Sequence, residues 1–329
     1  MEQYLSTDNR IVMLYLLKGG MQMRVGFIGA GKVGCSLGKY FVENGIEVSG
    51  YYSRTFEASK EAAEFTLTGK YETLESILED SDTLFLTVPD RQISKVWDDM
   101  RGLDIRDKII CHCSGSISSA TFFNGEKRGA KVYSVHPLYA ISDRFSSWKN
   151  LKNAYFVIEG SESGMEIMRS LMQVGGNQVI VTDTAKKSLY HGAAVTASNL
   201  VVALLKMSVD MLNACGFEEK AAMEALKGLF LGNAEAMVEK GLVDALTGPV
   251  ERNDVETVQR HLQAFRQETG MQNAEMIYRL LSMELLDIAK QKHKDRDYGN
   301  LTEILCASFG CMEDGKKGGF ADEEYSDDI

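Results

Sequence analysis

At 329 residues the chain has room for two domains, each with a core of its own. Its 44% hydrophobic and 25% charged residues are ordinary for a globular protein, and its net charge of −11 excludes a general binder of nucleic acid or anionic membrane, because phosphate surfaces would repel it. Seven acids and two lysines between Phe309 and Ile329 hold five of those negative charges, so the body is only mildly acidic and can still form a local basic pocket.

The first apolar run, Ile11–Leu17, is too short to span a bilayer, and acids (Glu2, Asp8) precede it where a signal peptide would be basic. Residues 1–22 are therefore expected to be an N-terminal extension outside the core. From Arg24 to about Ile180 apolar runs alternate with stretches of helical spacing. Strands are expected over Arg24–Ile28, Glu47–Ser53, Thr83–Val88, Lys108–Cys113, Lys131–Val135 and Ala154–Ile158, with helices over Lys32–Glu43 and Glu57–Glu64 among those between them. This alternation predicts an α/β doubly wound, mainly parallel sheet. Near Thr182 the rhythm changes. Thr184–Asn213 reads as one long helix rich in Ala, Leu and Val, followed by helices over Glu218–Lys240, Asp254–Glu268 and Met271–Lys292. The expected division is a sheet domain over 23–182, an all-helical domain over 183–310, and a disordered acidic tail over 311–329.

The first strand runs directly into Gly29-Ala30-Gly31-Lys32-Val33-Gly34, and this loop opens a helix. In that context three glycines are a dinucleotide fingerprint of the Rossmann type. Gly29 permits the tight turn, Gly31 lets the backbone approach a pyrophosphate, and Gly34 allows close helix–strand packing. The helix N-terminus then offers free N–H groups and the positive end of its dipole to the anion. The end of the second strand selects the cofactor. An NAD site places an acid there for the ribose 2′-hydroxyl, whereas this chain has Ser53-Arg54-Thr55. A guanidinium flanked by hydroxyls suits a 2′-phosphate, so NADP is the expected cofactor.

Six cysteines (35, 111, 113, 215, 306 and 311) are scattered without a paired framework, which points to reduced thiols in a cytoplasmic protein. Cys111-His112-Cys113 is the one stretch with metal-ligand chemistry. Neighbours on a strand point to opposite faces and no second cluster completes it, so no metal is expected.

Ligands of open parallel sheets bind beyond the carboxyl ends of the strands. Val88-Pro89-Asp90 closes one strand and would turn the chain over the nicotinamide ribose. Ser114-Gly115-Ser116 follows another, and His136-Pro137 ends a third. His136 either faces substrate or bonds a loop carbonyl. On the following helix Lys187, His191, Ala194 and Ser198 fall at i, i+4, i+7 and i+11, a polar stripe among Ala, Val and Leu that must reach solvent or line a cleft.

These stretches carry a resemblance. VGFIGAGKVG (25–34), LTVPD (86–90), HCSGS (112–116), VHPL (135–138), KSLYHGAAVTASN (187–199) and LTGPVERND (246–254) resemble the uncharacterised family that joins a Rossmann-like NADP domain to a helical domain of unknown function, number 2520. Its wider superfamily includes 6-phosphogluconate dehydrogenase, hydroxyisobutyrate dehydrogenase, ketopantoate reductase and pyrroline-carboxylate reductase. The resemblance implies a 6-phosphogluconate dehydrogenase C-terminal-like helical domain and a homodimer formed through it. Several hydroxyacid branches carry a catalytic Lys on the first interdomain helix with Asn four residues later. Here Lys187 keeps the lysine and His191 stands in the Asn position.

The expected activity is hydride transfer between NADP and a small keto or hydroxy acid or an imine. Lys187 would be the general acid and His191 its helper. Ser114, Ser116, His136 and Asn199 would orient the substrate, and Arg252 would either bind a carboxylate or make a surface salt bridge. Two other readings stay open: a prephenate-dehydrogenase-like enzyme, suggested by His136-Pro137, and a non-catalytic NADP-binding sensor.

Overall fold

The structure, a computed structural model, describes residues 23–307. The expected N-terminal extension and acidic tail lie outside the described residues. The chain divides into two compact units between Leu200 and Val201.

The first unit is one eight-stranded sheet. Its strands are β1 (Val25–Ile28), β2 (Val48–Tyr52), β3 (Gly69–Tyr71), β4 (Thr83–Leu86), β5 (Ile109–His112), β6 (Lys131–Leu138), β7 (Tyr155–Gly160) and β8 (Gln178–Val181). They lie in the order β3-β2-β1-β4-β5-β6-β7-β8. Every neighbouring pair is parallel except β6 and β7, where Val135 faces Ile158 in antiparallel register. Strands covered on both faces read as unbroken apolar runs. All four residues of β1, β4 and β5 are buried.

Side chains alternate between the two faces. Val25, Phe27, Phe85 and Cys111 join a core with helices α1 (Lys32–Glu43), α2 (Phe56–Thr66) and α5 (Met165–Met172). Ile28, Leu84, Leu86 and Ile110 join the opposite core with α3 (Leu74–Glu79) and α4 (Asp90–Asp99). This is the doubly wound arrangement that the alternating pattern predicts. Beneath the glycine loop, Phe27 stacks on Tyr51 at 5.3 Å and on Phe85 at 5.6 Å between ring centroids. Such pairs add about 0.5–1.5 kcal/mol each beyond the area they bury, so the loop rests on a rigid platform.

Thr184–Asn213 is not one helix. A 3₁₀ turn (Thr184–Lys186) leads into α6 (Lys187–Thr196), the chain turns at Ala197-Ser198, and α7 (Asn199–Ala214) follows. Ser198 turns its hydroxyl back onto the Ala194 carbonyl at 2.6 Å, competing with the backbone ladder where the helix stops. The second unit continues with α8 (Glu219–Ala245), α9 (Val255–Gln267), α10 (Gln272–Lys292) and α11 (Gly299–Cys306). It is the expected all-helical region. Gly241, at φ +80°, kinks α8, and Asp254 caps α9 by accepting from the Thr257 N–H. Val258, Leu262, Leu286 and Leu301 form its core.

Candidate functional site

Gly29 has φ +113°, and a Cβ there would lie 2.8 Å from the Thr87 backbone carbon. Only glycine satisfies both demands. Thr87 locks the turn from β4, its hydroxyl donating to the Gly29 carbonyl at 2.8 Å. A Cβ on Gly34 would meet the Gly29 oxygen at 2.5 Å, whereas the space over Gly31 is open. Helix α1 begins without a side-chain cap and has no acid in its first turn. Its leading N–H groups are thus left for an anion.

A groove of about 440 Å³ runs from Gly29, Ala30 and Gly31 past Ser53, Arg54 and Thr55 at the end of β2 to Val88 and Pro89 after β4. Its outer wall is α4, which adds Arg91 and Lys95. Among the described residues Arg54, Arg91 and Lys95 make no salt bridge within 4.0 Å. Three cations free of salt bridges, against Asp99 as the one acid among the lining residues, fit a phosphate-bearing dinucleotide, and no acid stands at the end of β2 to repel a 2′-phosphate. Arg91 and Lys95 were legible as an i, i+4 pair on one face of α4, but only the fold shows which way that face looks. Lys32 is exposed, Val33 packs against the core, and neither lines the groove.

Past Pro89, the Asp90 carboxylate turns away from the groove. Its Oδ2 accepts from Ser114 Oγ at 2.7 Å and from Ser116 Oγ at 3.2 Å. Ser114 Oγ also accepts the N–H groups of Ser116 and Ile117. The two serines therefore brace the end of β5 against the start of α4, and Asp90 acts with them. Between them lies Gly115. A Cβ there would sit 2.3 Å from His191 Nδ1 and 3.0 Å from His136 Nε2, so two imidazoles close on its bare Cα.

The cluster is completed by Lys187 and Tyr190. Lys187 is 1% exposed and its Nζ has no hydrogen-bond partner; His191 Nδ1 is buried and unpartnered too. Lys187 Nζ lies 5.4 Å from the centre of the Tyr190 ring. The Tyr190 hydroxyl and His136 Nδ1 share a hydrogen bond of 2.6 Å, and the His136 and His191 rings stand edge to face at 6.0 Å. His136 thus bonds a tyrosine rather than a loop carbonyl.

Burial lowers Lys187 from the ordinary lysine value, with Glu159 and then Cys113 acting against it. Burial, followed by Lys187 and His191, pushes His136 down to about 4, so its imidazole is neutral at pH 7. Burial also raises Tyr190 to about 12, which keeps its proton on. Two buried polar atoms left without partners, beside a neutral imidazole and a protonated phenol, form a place that a polar ligand atom would complete.

Of the residues expected at the substrate, His136, His191 and Lys187 converge around Gly115, and Ser114 and Ser116 flank it. Asn199 is exposed at the start of α7. Arg252 belongs to the second unit, where it is exposed and its N–H donates to the Gly248 carbonyl at 3.1 Å. His112 uses both ring nitrogens locally: Nδ1 accepts the Ser114 N–H, and Nε2 bonds the Ser118 carbonyl. No group of three or more His, Cys, Asp or Glu that could hold a metal occurs among the described residues. Sequence reasoning passed over Tyr190, although it sits inside the KSLYHGAAVTASN stretch, and over Glu159, an acid in an apolar strand.

Known proteins share parts of this sequence and its fold. Residues 24–114 match the model of the family described as NADP oxidoreductase, coenzyme F420-dependent, and residues 154–285 match the domain of unknown function DUF2520. A crystal structure of a Thermotoga maritima protein is similar at 27% identity and a TM-score of 0.65, covering 82% of this chain and 99% of that one. A reductive aminase of Aspergillus terreus, solved with NADPH and ethyl-5-oxohexanoate, shares the fold at 12% identity and a TM-score of 0.57, covering 88% of this chain and all of that one (100%). Plasmodium falciparum pyrroline carboxylate reductase with NADP bound shares it at 12% identity and a TM-score of 0.52, covering 82% and 100%. No curated protein matches. Two family models thus match successive parts of the chain, the NADP oxidoreductase model over the glycine loop and the first strands, and DUF2520 over the stretch that contains Lys187 and His191.

Proposed function

We propose that this protein is an NADP-dependent reductase or dehydrogenase acting on a small carbonyl compound or imine. The observation that carries the reading is the buried, unpartnered amine of Lys187. It stands in a cluster joined to the dinucleotide groove through Pro89, Asp90 and the Ser114–Ser116 turn. Gly29, Ala30, Gly31 and the α1 N-terminus would hold the pyrophosphate, and Arg54 with Ser53 and Thr55 would hold the 2′-phosphate. When bound, the nicotinamide supplies or takes the hydride at a substrate carbon.

The chain's own residues then handle the proton. In reduction the electron pair of the C=O or C=N bond moves to the heteroatom, which takes a proton from Lys187 Nζ. His191 Nδ1 bonds the same heteroatom, and His136, fixed by Tyr190, bounds the pocket from the other side. Gly115 leaves room for both imidazoles. The exposed Asn199, still within the first unit, is the residue we assign to orienting the substrate.

The remaining assignments follow from the same chemistry. Residues 183–310 would form the substrate and dimerisation domain, and five free cysteines among the described residues suit a cytoplasmic enzyme. By length and composition the stretch Thr184–Ala214 could cross a membrane, and only 6% of its apolar window is buried within the chain. We assign that surface, with exposed Leu229, Val238 and Leu242 of α8, to a second copy of this chain.

The test is NADPH consumption against a panel of keto acids, aldehydes and cyclic imines, with NADPH binding followed by its fluorescence. Turnover of one class that disappears in Lys187→Met, with NADPH binding retained, is the expected result. Tight NADPH binding with no turnover across the panel would replace this reading with the sensor.

A further inference from the structure

Glu159 lies near the end of β7 and is 1% exposed. Its Oε1 accepts the Ser119 N–H at 2.8 Å, and its Oε2 accepts from Ser119 Oγ at 2.7 Å and Thr184 Oγ1 at 2.8 Å. Thr184 opens the 3₁₀ turn that runs straight into α6, whose first residue is Lys187. One carboxylate therefore ties the end of β7, the turn at Ser119–Thr121 and the start of the lysine-bearing helix together.

Burying a carboxylate is costly unless its charge is met. Glu159 is met by neutral donors alone, and among the described residues it makes no salt bridge within 4.0 Å. A glutamine would serve the same tether. Its carbonyl would accept the Ser119 N–H, and the two hydroxyls can rotate to accept from its NH₂. Tethering therefore gives no reason for an acid; a charge does. Three residues on from the tethered Thr184 is a buried cation, Lys187, whose ammonium also lacks a partner. The other groups around Lys187 are Cys113 beyond β5, His112 on β5, His136 on β6, and Tyr190 and His191 on its own helix, none of them a carboxylate; the Asp90 carboxylate at the start of α4 acts on His112 and His136 but is not among the charges acting on Lys187.

We propose that Glu159 is a positioning residue for Lys187, fixing the start of its helix through Thr184 and serving as the buried counter-ion of its ammonium. The inference rests on the reading of Lys187 as the proton donor. A merely structural Glu159 would leave the lysine's ionisation untouched, which gives the test its readout.

The experiment is a pH titration of the full-length protein, without cofactor or substrate, carrying ¹³C-labelled lysine. The Lys187 signal is the one missing in Lys187→Met. In Glu159→Gln the Lys187 midpoint should fall by about one pH unit, a tenfold change in its ionisation constant. In Glu159→Asp, which keeps the charge, it should stay within about half a unit of the parent. An unchanged midpoint in folded Glu159→Gln overturns the proposal, and so does a full-unit fall in Glu159→Asp, which can be read even where the glutamine variant does not fold. The titration involves no turnover, so its failure is separate from failure of the oxidoreductase reading, which the Lys187→Met activity assay decides.

Discussion

Replacing Lys187 by Met should make the protein more stable while abolishing its chemistry. The lysine is 1% exposed, and its amine has no hydrogen-bond partner. An unsatisfied buried polar group costs about 1–3 kcal/mol, more when it is charged. Methionine keeps most of the apolar stem and removes the amine. Against the gain stand the contact over the Tyr190 ring at 5.4 Å and the counter-charge of Glu159. A cation–π contact of this kind contributes about 0.5–2 kcal/mol; burial outweighs the pull of Glu159 on the lysine, and Glu159 keeps its Ser119 and Thr184 donors in the variant, so the net stabilisation at pH 7 should be about 1 kcal/mol. For a unit of this size that raises Tm by about 2–4 °C.

The gain should also depend on pH, with a definite sign. Lys187 is lowered from 10.5 in the folded protein, so between its folded value and 10.5 the unfolded chain binds more protons and stability rises with pH. The parent is thus penalised below the folded value and relieved as pH approaches 10.5. Lys187→Met has no such group, and its advantage should shrink over that window. Differential scanning calorimetry at pH 7 and pH 10.5 reads both effects. A variant less stable than the parent at pH 7, or an advantage that does not narrow with pH, would refute the reasoning.

In Gly115→Ala the new Cβ would lie 2.3 Å from His191 Nδ1, so the ring must retreat by about 1 Å; turnover should fall about a hundredfold with NADPH affinity unchanged, and unaltered turnover would count against the cluster. Arg54→Ser removes an unpaired guanidinium from the groove and should weaken NADPH binding about tenfold or more while leaving NADH within about twofold; equal losses for both would remove the 2′-phosphate assignment. Leu229→Asp places a charge on an exposed apolar face of α8 and should convert a dimer to a monomer in sedimentation; an unchanged mass would move the interface elsewhere.

The sheet was legible because its strands are buried on both faces and so appear as unbroken apolar runs: VGFI, TLFL and IICH could hardly be anything else. The exposed edges were not. β3, of three residues, and β8, largely exposed, carry too little apolar pattern to declare themselves. The break at Ala197-Ser198 was hidden because neither residue is a helix breaker, and the bond from the Ser198 hydroxyl to the Ala194 carbonyl there is a side-chain contact that spacing cannot show. The glycine loop stood out through its strand–loop–helix context, and the structure keeps that order. Ser114 and Ser116 were legible as hydroxyls at a strand end but not as partners of Asp90, twenty-four residues upstream of Ser114, to which both donate. Glu159 and Tyr190 lie in separate stretches, and their meaning comes from contacts with Thr184 and His136 that only folding creates.

The turn at Ala197-Ser198 also bears on how this molecule can change. The buried Lys187, the two imidazoles and the groove at the glycine loop all belong to the first unit, which runs to Leu200. The helices beyond that residue can gain, lose or exchange side chains without moving any of these groups along the chain. A lineage could therefore rewrite the helical half freely while these groups are inherited in one piece.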